Sequence, residues 1–114
     1  MSQQVIICVD DEKTVLRSLK AELQEAVGND YIIEIAEGGQ EALELIEELL
    51  EDGDEIPLII SDHIMPDMKG DELLKQAHII LPKSIKIMLT DYHRKNTSIR
   101  SKEKKFTTLP YRSS

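Results

Sequence analysis

Cysteine is almost missing from this chain of 114 residues: Cys8 stands alone, which excludes an internal disulfide and suits a reducing cytoplasm. Also missing is any apolar run near the ~20 residues that a membrane-crossing helix requires, and Met1 opens no basic-then-apolar leader. The first 90 residues hold no internal repeat and no low-complexity segment. Gly38-Gly39 is not followed by G-x-x-x-x-G-K-[ST], so the pair reads as a helix-start turn and not as a phosphate loop. His63, His78 and His93 include no pair at metal-ligand spacing. Basic side chains are outnumbered, 14 Lys+Arg against 22 Asp+Glu, for a formal net charge of −8. An acidic surface repels phosphate backbones, so no direct nucleic-acid partner is expected, and no membrane partner either. The expectation is one soluble, cytoplasmic domain, because domains cluster at about 100–150 residues.

The charge is unevenly spread. Residues 1–90 hold 20 acidic and 7 basic side chains, whereas 91–114 hold 2 acidic and 7 basic. Such a reversal inside one small chain sets the last part apart from the rest.

What is present alternates between two periods. Val5-Ile6-Ile7-Cys8-Val9 is a continuous apolar run, as expected of a strand covered on both faces. Asp10-Asp11-Glu12 ends it. Val15, Leu16, Leu19, Leu23 and Val27 then recur at helical spacing, and Gly28-Asn29-Asp30 stops that helix. Residues 31–36 read as a second strand. After Gly38-Gly39, Ala42, Leu43, Ile46, Leu49 and Leu50 form one face of a second helix, with glutamates largely opposite. Pro57 opens a third strand, Leu58 to Ser61, with Asp62 at its end. A turn with Pro66 and Gly70 leads to a helix over Asp71 to Ile80, and 85–90 is a fourth strand. The order β-α-β-α-β-α-β demands an α/β architecture, a doubly wound parallel sheet with crossover helices. From Asp91 the pattern stops; the tail is basic and rich in Ser and Thr, a composition that tends toward disorder, with a short β-like stretch at Phe106 to Leu109.

In open parallel sheets, ligands bind beyond the carboxyl ends of the strands. Asp10 and Asp11 follow strand 1, Asp62 follows strand 3, and Thr90 ends strand 4. If strands 1 and 3 are neighbours, three carboxylates share one crevice, where a divalent cation would relieve their repulsion. All-oxygen ligation suits Mg²⁺. A carboxylate, a metal and a hydroxyl together suggest phosphoryl transfer to Asp62. The bland alternative stands beside this: Asp11 caps the helix beginning near Lys13, and Asp62 is a loop residue. Cys8 reads as a buried core thiol, and His63 as a loop residue at the pocket rim.

Asp10-Asp11-Glu12 after the first strand, Asp62-His63-Ile64-Met65-Pro66-Asp67-Met68-Lys69-Gly70 after the third and Leu89-Thr90 at the end of the fourth resemble the response-regulator receiver domain of two-component signalling. The resemblance covers residues 4–90. It implies a flavodoxin-like receiver fold, with Asp62 as phosphoacceptor. It further implies Asp11, Asp10, Asp62 and the Ile64 carbonyl around Mg²⁺, and Thr90 as a switch hydroxyl. It implies a sensor histidine kinase or phosphotransfer protein as donor and a downstream output protein or domain as receiver of the signal. Any enzyme activity is at most self-phosphorylation and autodephosphorylation on Asp62.

The end of the chain departs from that pattern. Asp91 stands where the family usually has Gly or Ala. At the family's usual spacing after Thr90 the chain has Arg112 and Ser113, which begin no Lys-Pro pair, and Lys104 and Lys105 come too early. The reading is therefore a receiver portion over 1–90 lacking the usual last strand and last helices, followed by an atypical basic tail over 91–114. A frameshifted end and genuine divergence are both open. A fourth strand left as a bare edge would favour self-association. The alternative function is a non-phosphorylated protein–protein interaction module whose switching is impaired by the missing lysine.

Overall fold

The computed structural model describes residues 2–90 and 105–108, with Thr90 and 105–108 described as backbone. Strand β1 (Gln4–Val9) lies at the middle of the packing, with Val5 to Val9 all buried. Helix α1 (Lys13–Val27), β2 (Ile32–Ala36), α2 (Gly39–Glu51), β3 (Glu55–Asp62), α3 (Gly70–Ile80), β4 (Ile85–Thr90) and β5 (Lys105–Thr108) follow in chain order. The sheet order is β2-β1-β3-β4-β5, with the first four strands parallel.

The period-2 geometry of strands divides the core into two layers. Val5, Ile7, Val9 and Ile59 pack with Ala42, Ile46 and Leu49 of α2 and Leu73, Leu74 and Ala77 of α3. Ile6, Cys8, Ile60 and Leu89 pack with Leu16 and Leu19 of α1. This is the doubly wound arrangement that the alternating periods predict, with α1 on one face and α2 and α3 on the other. Burial pushes the Cys8 thiol up to about 12, only partly opposed by the charge of Lys20, in keeping with a core residue.

Two details differ from the sequence reading. Strand β3 begins at Glu55, before Pro57, and its pairing with β1 shifts register between Gln4 and Ile6. Proline has no N–H to give a ladder, and the irregularity accommodates it. The second difference is a correction. The edge of β4 is not bare: β5 pairs with it antiparallel, from Thr90 opposite Lys105 to Ile87 opposite Thr108. The premise of the self-association expectation therefore fails over that stretch. The stretch is antiparallel, whereas a crossover connection would return a parallel strand. The rest of the 91–114 tail, His93 and the question of its disorder lie outside the described residues.

Lys86 is the unusual core residue, 3% exposed on the side of β4 that faces α3. Its ammonium donates to the carbonyls of Leu81 and Ser84, the latter at 2.8 Å, and lies 3.0 Å from His78 Nδ1. Burial lowers its pKa from the ordinary lysine value. It thus adds a charged donor to the Leu81 carbonyl just past α3, which also accepts the Ser84 N–H at 3.2 Å, and to the Ser84 carbonyl before β4. Replacing Lys86 with Ala should cost about 2 kcal/mol in urea unfolding, because two carbonyls lose a charged donor. An unchanged midpoint would show that water replaces the ammonium there.

Candidate functional site

The order β2-β1-β3 reverses direction between β1 and β3, and a crevice opens at such a switch point. Val9 stands in register with Ser61, so Asp10 leaves β1 level with Asp62 at the end of β3. The condition set by the sequence, that strands 1 and 3 be neighbours, is met. Carboxylate oxygens of Asp10, Asp11 and Asp62 all lie within 4.8 Å of one another. Asp10 is fully buried and Asp62 is 4% exposed, while Asp11 faces solvent. At an effective dielectric of about 20, two carboxylates this close repel by on the order of 3 kcal/mol before any compensation. Three hard oxygen donors, with an open side at Asp11, match what a small divalent cation requires.

Local bonds give the acids different tasks. The Asp10 carboxylate accepts the Glu12 N–H at 3.0 Å, and the Asp10 N–H donates to Ala36 O at 3.1 Å. Helix α1 has Glu12 at its N-cap and no side-chain cap. The capping alternative for Asp11 is therefore not realised; Asp10 ties down the turn and Asp11 projects into the crevice mouth.

The loop after Asp62 is held from both ends. Met65 is buried in the α2–α3 core layer, so the Met-Pro step is pinned from below. The Ser61 hydroxyl donates to the Asp62 carbonyl at 2.9 Å, and the Gly70 N–H donates to His63 O at 2.8 Å. A Cβ added to Gly70 would stand 2.2 Å from the Asp62 carbonyl oxygen, so no side chain fits there. That contact is the physical reason for glycine at the end of the D-x-x-M-P-x-x-x-G run. Ile64 lies in this loop with its side chain 48% exposed, and His63 is exposed at the rim. Thr90 closes β4 one residue beyond Leu89, the register partner of Asp62, so its backbone reaches the same end of the sheet.

Asp67 was not singled out by sequence reasoning. Its carboxylate accepts the N–H groups of Gly39 at 3.2 Å and Gln40 at 3.0 Å, joining the loop to the start of α2. These bonds, led by that from Gln40, hold its carboxyl below the ordinary value against a smaller opposing effect of burial. The cap comes from 28 residues along the chain, so no local signal reveals it. Gly38-Gly39 is the helix-start turn expected, and the reason is now visible: a Cβ at Gly39 would meet the Met68 side chain at 2.8 Å.

The known proteins that resemble this chain agree with that geometry. The response regulator receiver domain family matches residues 6–107. A sensor kinase, CckA from Brucella abortus, is 33% identical over 87 residues, which is 76% of this chain and 9% of that protein. The chain thus spans a small fraction of that relative. A CheY-like receiver domain protein from Methanospirillum hungatei is 35% identical over 88% of this chain and 70% of its own, with a TM-score of 0.65. The response regulator TrrA from Thermotoga maritima, solved in complex with Mg²⁺-BeF, is 32% identical, covering 87% and 81% of the two chains with a TM-score of 0.65. A crystal structure of TrrA with the histidine kinase ThkA also matches, at 31% identity and a TM-score of 0.59 over 87% and 78% of the chains.

Asp67 carries a pH signature. Because its folded pKa is lowered, its contribution to stability is present above the unfolded carboxylate value near 4 and is lost as pH falls through the folded value. The stability gap between the native chain and Asp67→Asn should be open at pH 7 and narrow as denaturation is followed below about pH 4. A gap independent of pH would mean the cap does not depend on charge. The acid cluster makes a second prediction: Mg²⁺ at a hundred times its dissociation constant should add about 2.7 kcal/mol of stability and so raise the unfolding temperature. Asp11→Asn should remove most of that rise, as followed by scanning calorimetry.

Proposed function

This chain belongs to the response regulator receiver domain family, and from that membership we propose that Asp62 is the phosphoacceptor of a two-component phosphorelay. The observation that carries the reading is the convergence of Asp10, Asp11 and Asp62 at the β1–β3 switch point. Receiver domains bind Mg²⁺ at an acidic pocket, and the oxygen donors here fit that ion, with Asp11, Asp10, Asp62 and the Ile64 carbonyl as the proposed ligands. Bound magnesium supplies positive charge that offsets the carboxylates and the phosphoryl oxygens.

The chain's own part is positional. Asp62 presents a carboxylate oxygen to phosphorus; the new P–O bond forms as the donor's P–N bond breaks, and the electron pair leaves on the imidazole nitrogen. The contacts at the Asp62 carbonyl fix the backbone that carries the carboxylate, so less ordering remains to be done at the moment of reaction. Thr90 is the proposed hydroxyl partner of the phosphoryl group. Lys105 stands opposite Thr90 in the β4–β5 register, at the site end of the sheet.

Receiver domains interact with histidine kinases. The TrrA–ThkA complex supports a sensor kinase, or an intermediate phosphotransfer protein, as donor. The output is proposed to pass to a separate protein or domain. No helix among the described residues is long and apolar enough to cross a membrane, and a cytoplasmic setting belongs to the proposal.

Incubation with a small phosphodonor such as acetyl phosphate and Mg²⁺ should add one phosphoryl group, found on Asp62 by mass spectrometry after borohydride trapping. Asp62→Asn should abolish it. Labelling that persists in Asp62→Asn would overturn the assignment. Absence of labelling in the native chain with Mg²⁺ bound would favour the non-phosphorylated interaction module.

A further inference from the structure

Lys86 and His78 form a titratable pair that the chemistry of Asp62 does not use, near the amino end of β4 and away from the acid cluster. An ammonium has three hydrogens and no lone pair. The Lys86 ammonium has three acceptors around it: Leu81 O, Ser84 O at 2.8 Å and His78 Nδ1 at 3.0 Å. The charged lysine therefore needs a lone pair on His78 Nδ1, and an imidazole that offers one is neutral and carries its proton on Nε2. The two residues hold one positive charge between them. Their bonds clasp the end of α3 and the turn after it to β4.

A second proton has no place in this arrangement. On Nδ1 it would point at the ammonium from 3.0 Å, exchanging an attractive contact for the repulsion of two cations. The other charges near His78 among the described residues do not reverse that balance. Lys75 lies one turn back on the same side of α3 and Lys83 in the turn that follows, and both oppose a further positive charge. Asp71 favours one, but from two turns back, about 10 Å along the helix. The last carbonyls of a helix also favour a cation, and Lys86 already supplies it there. Helix α2 meets α3 at Ile80, about 200° around the helix from His78. Ile59 of β3 and Met88 of β4, packed on the same face of the sheet as α3, are uncharged.

We propose that His78 and Lys86 form an acid-sensitive clasp, closed while His78 is the neutral Nε2–H tautomer and opened when it takes a second proton, which frees the end of α3 from β4. The opened chain binds that proton without the ammonium beside it, so the clasp is lost as pH falls and not as it rises. It does not rest on the phosphoacceptor reading, since no residue of the acid cluster takes part.

Nitrogen NMR of the full chain reads the tautomer directly, with the His78 signals identified by their loss in His78→Gln. The Nε2–H form is expected at about pH 7. An Nδ1–H form would reverse donor and acceptor and overturns the proposal. Hydrogen exchange at the Leu81 and Ser84 amides, which donate to Ala77 O and Leu81 O, reads the clasp itself. Their protection factors should fall severalfold between about pH 7 and about pH 5, the range in which imidazole changes charge, while those of β1 stay constant. In His78→Gln a carbonyl oxygen can replace Nδ1 as acceptor and nothing titrates, so that fall should disappear. A fall as large in His78→Gln as in the native chain would trace it to other groups and overturns the proposal. Protection in the native chain that does not change with pH overturns it too.

Discussion

Like charges brought together at the ends of two adjacent parallel strands are the constraint on which the rest of this molecule depends. Asp10 and Asp62 are both buried where β1 and β3 end in register, and Asp11 adds a third carboxylate within 4.8 Å. Nothing in hydrophobic packing favours that arrangement. It persists because β1 and β3 are committed to each other by apolar runs, Ile6 to Cys8 paired with Leu58 to Ile60, all of them buried except the half-buried Leu58. Burying that much aliphatic surface, at roughly 25 cal/mol per Å², outweighs a local repulsion of a few kcal/mol. The site is thus a strained feature carried by a conventional core, and its electrostatic cost is what a cation and a phosphoryl group would respond to.

The second requirement is that Asp62 not relax away from its neighbours. The loop after it is fastened at several points of different kinds: a buried methionine, a glycine pressed on the Asp62 carbonyl, a serine hydroxyl on the same oxygen, and the Asp67 cap on α2. Because these fastenings reach three separate elements, a shift in α2 or α3 must alter the loop that carries the carboxylate. The backbone position of Asp62 is therefore set jointly by β3, α2 and α3.

Much of this was legible in the sequence, for definable reasons. The strand and helix periods give the α/β order, and β4 is found at the expected residues because Pro82 and Thr90 mark its limits. The acid pair and Asp62 are legible because the ends of parallel strands are where such a sheet gathers its polar residues. Asp67 was illegible because its partners lie on another helix and depend on tertiary packing. The burial of Lys86 was illegible too, because the carbonyls of Leu81 and Ser84 that accept from it are gathered only by the fold. β5 was sensed as a β-like stretch near Phe106, but its consequence was misjudged: spacing arguments assume a crossover and a parallel return, and an antiparallel return obeys neither.

That antiparallel return changes what the end of the chain can do. A parallel fifth strand would arrive from the far end of the sheet and finish at the acid cluster. Here β5 begins at the cluster, with Lys105 opposite Thr90, and travels away from it. The backbone of β5 therefore opens at the site end and reaches the level of Ile87 at Thr108. One four-residue strand thus covers the β4 edge from Thr90 back to Ile87, and it does so without the crossover that a parallel neighbour requires.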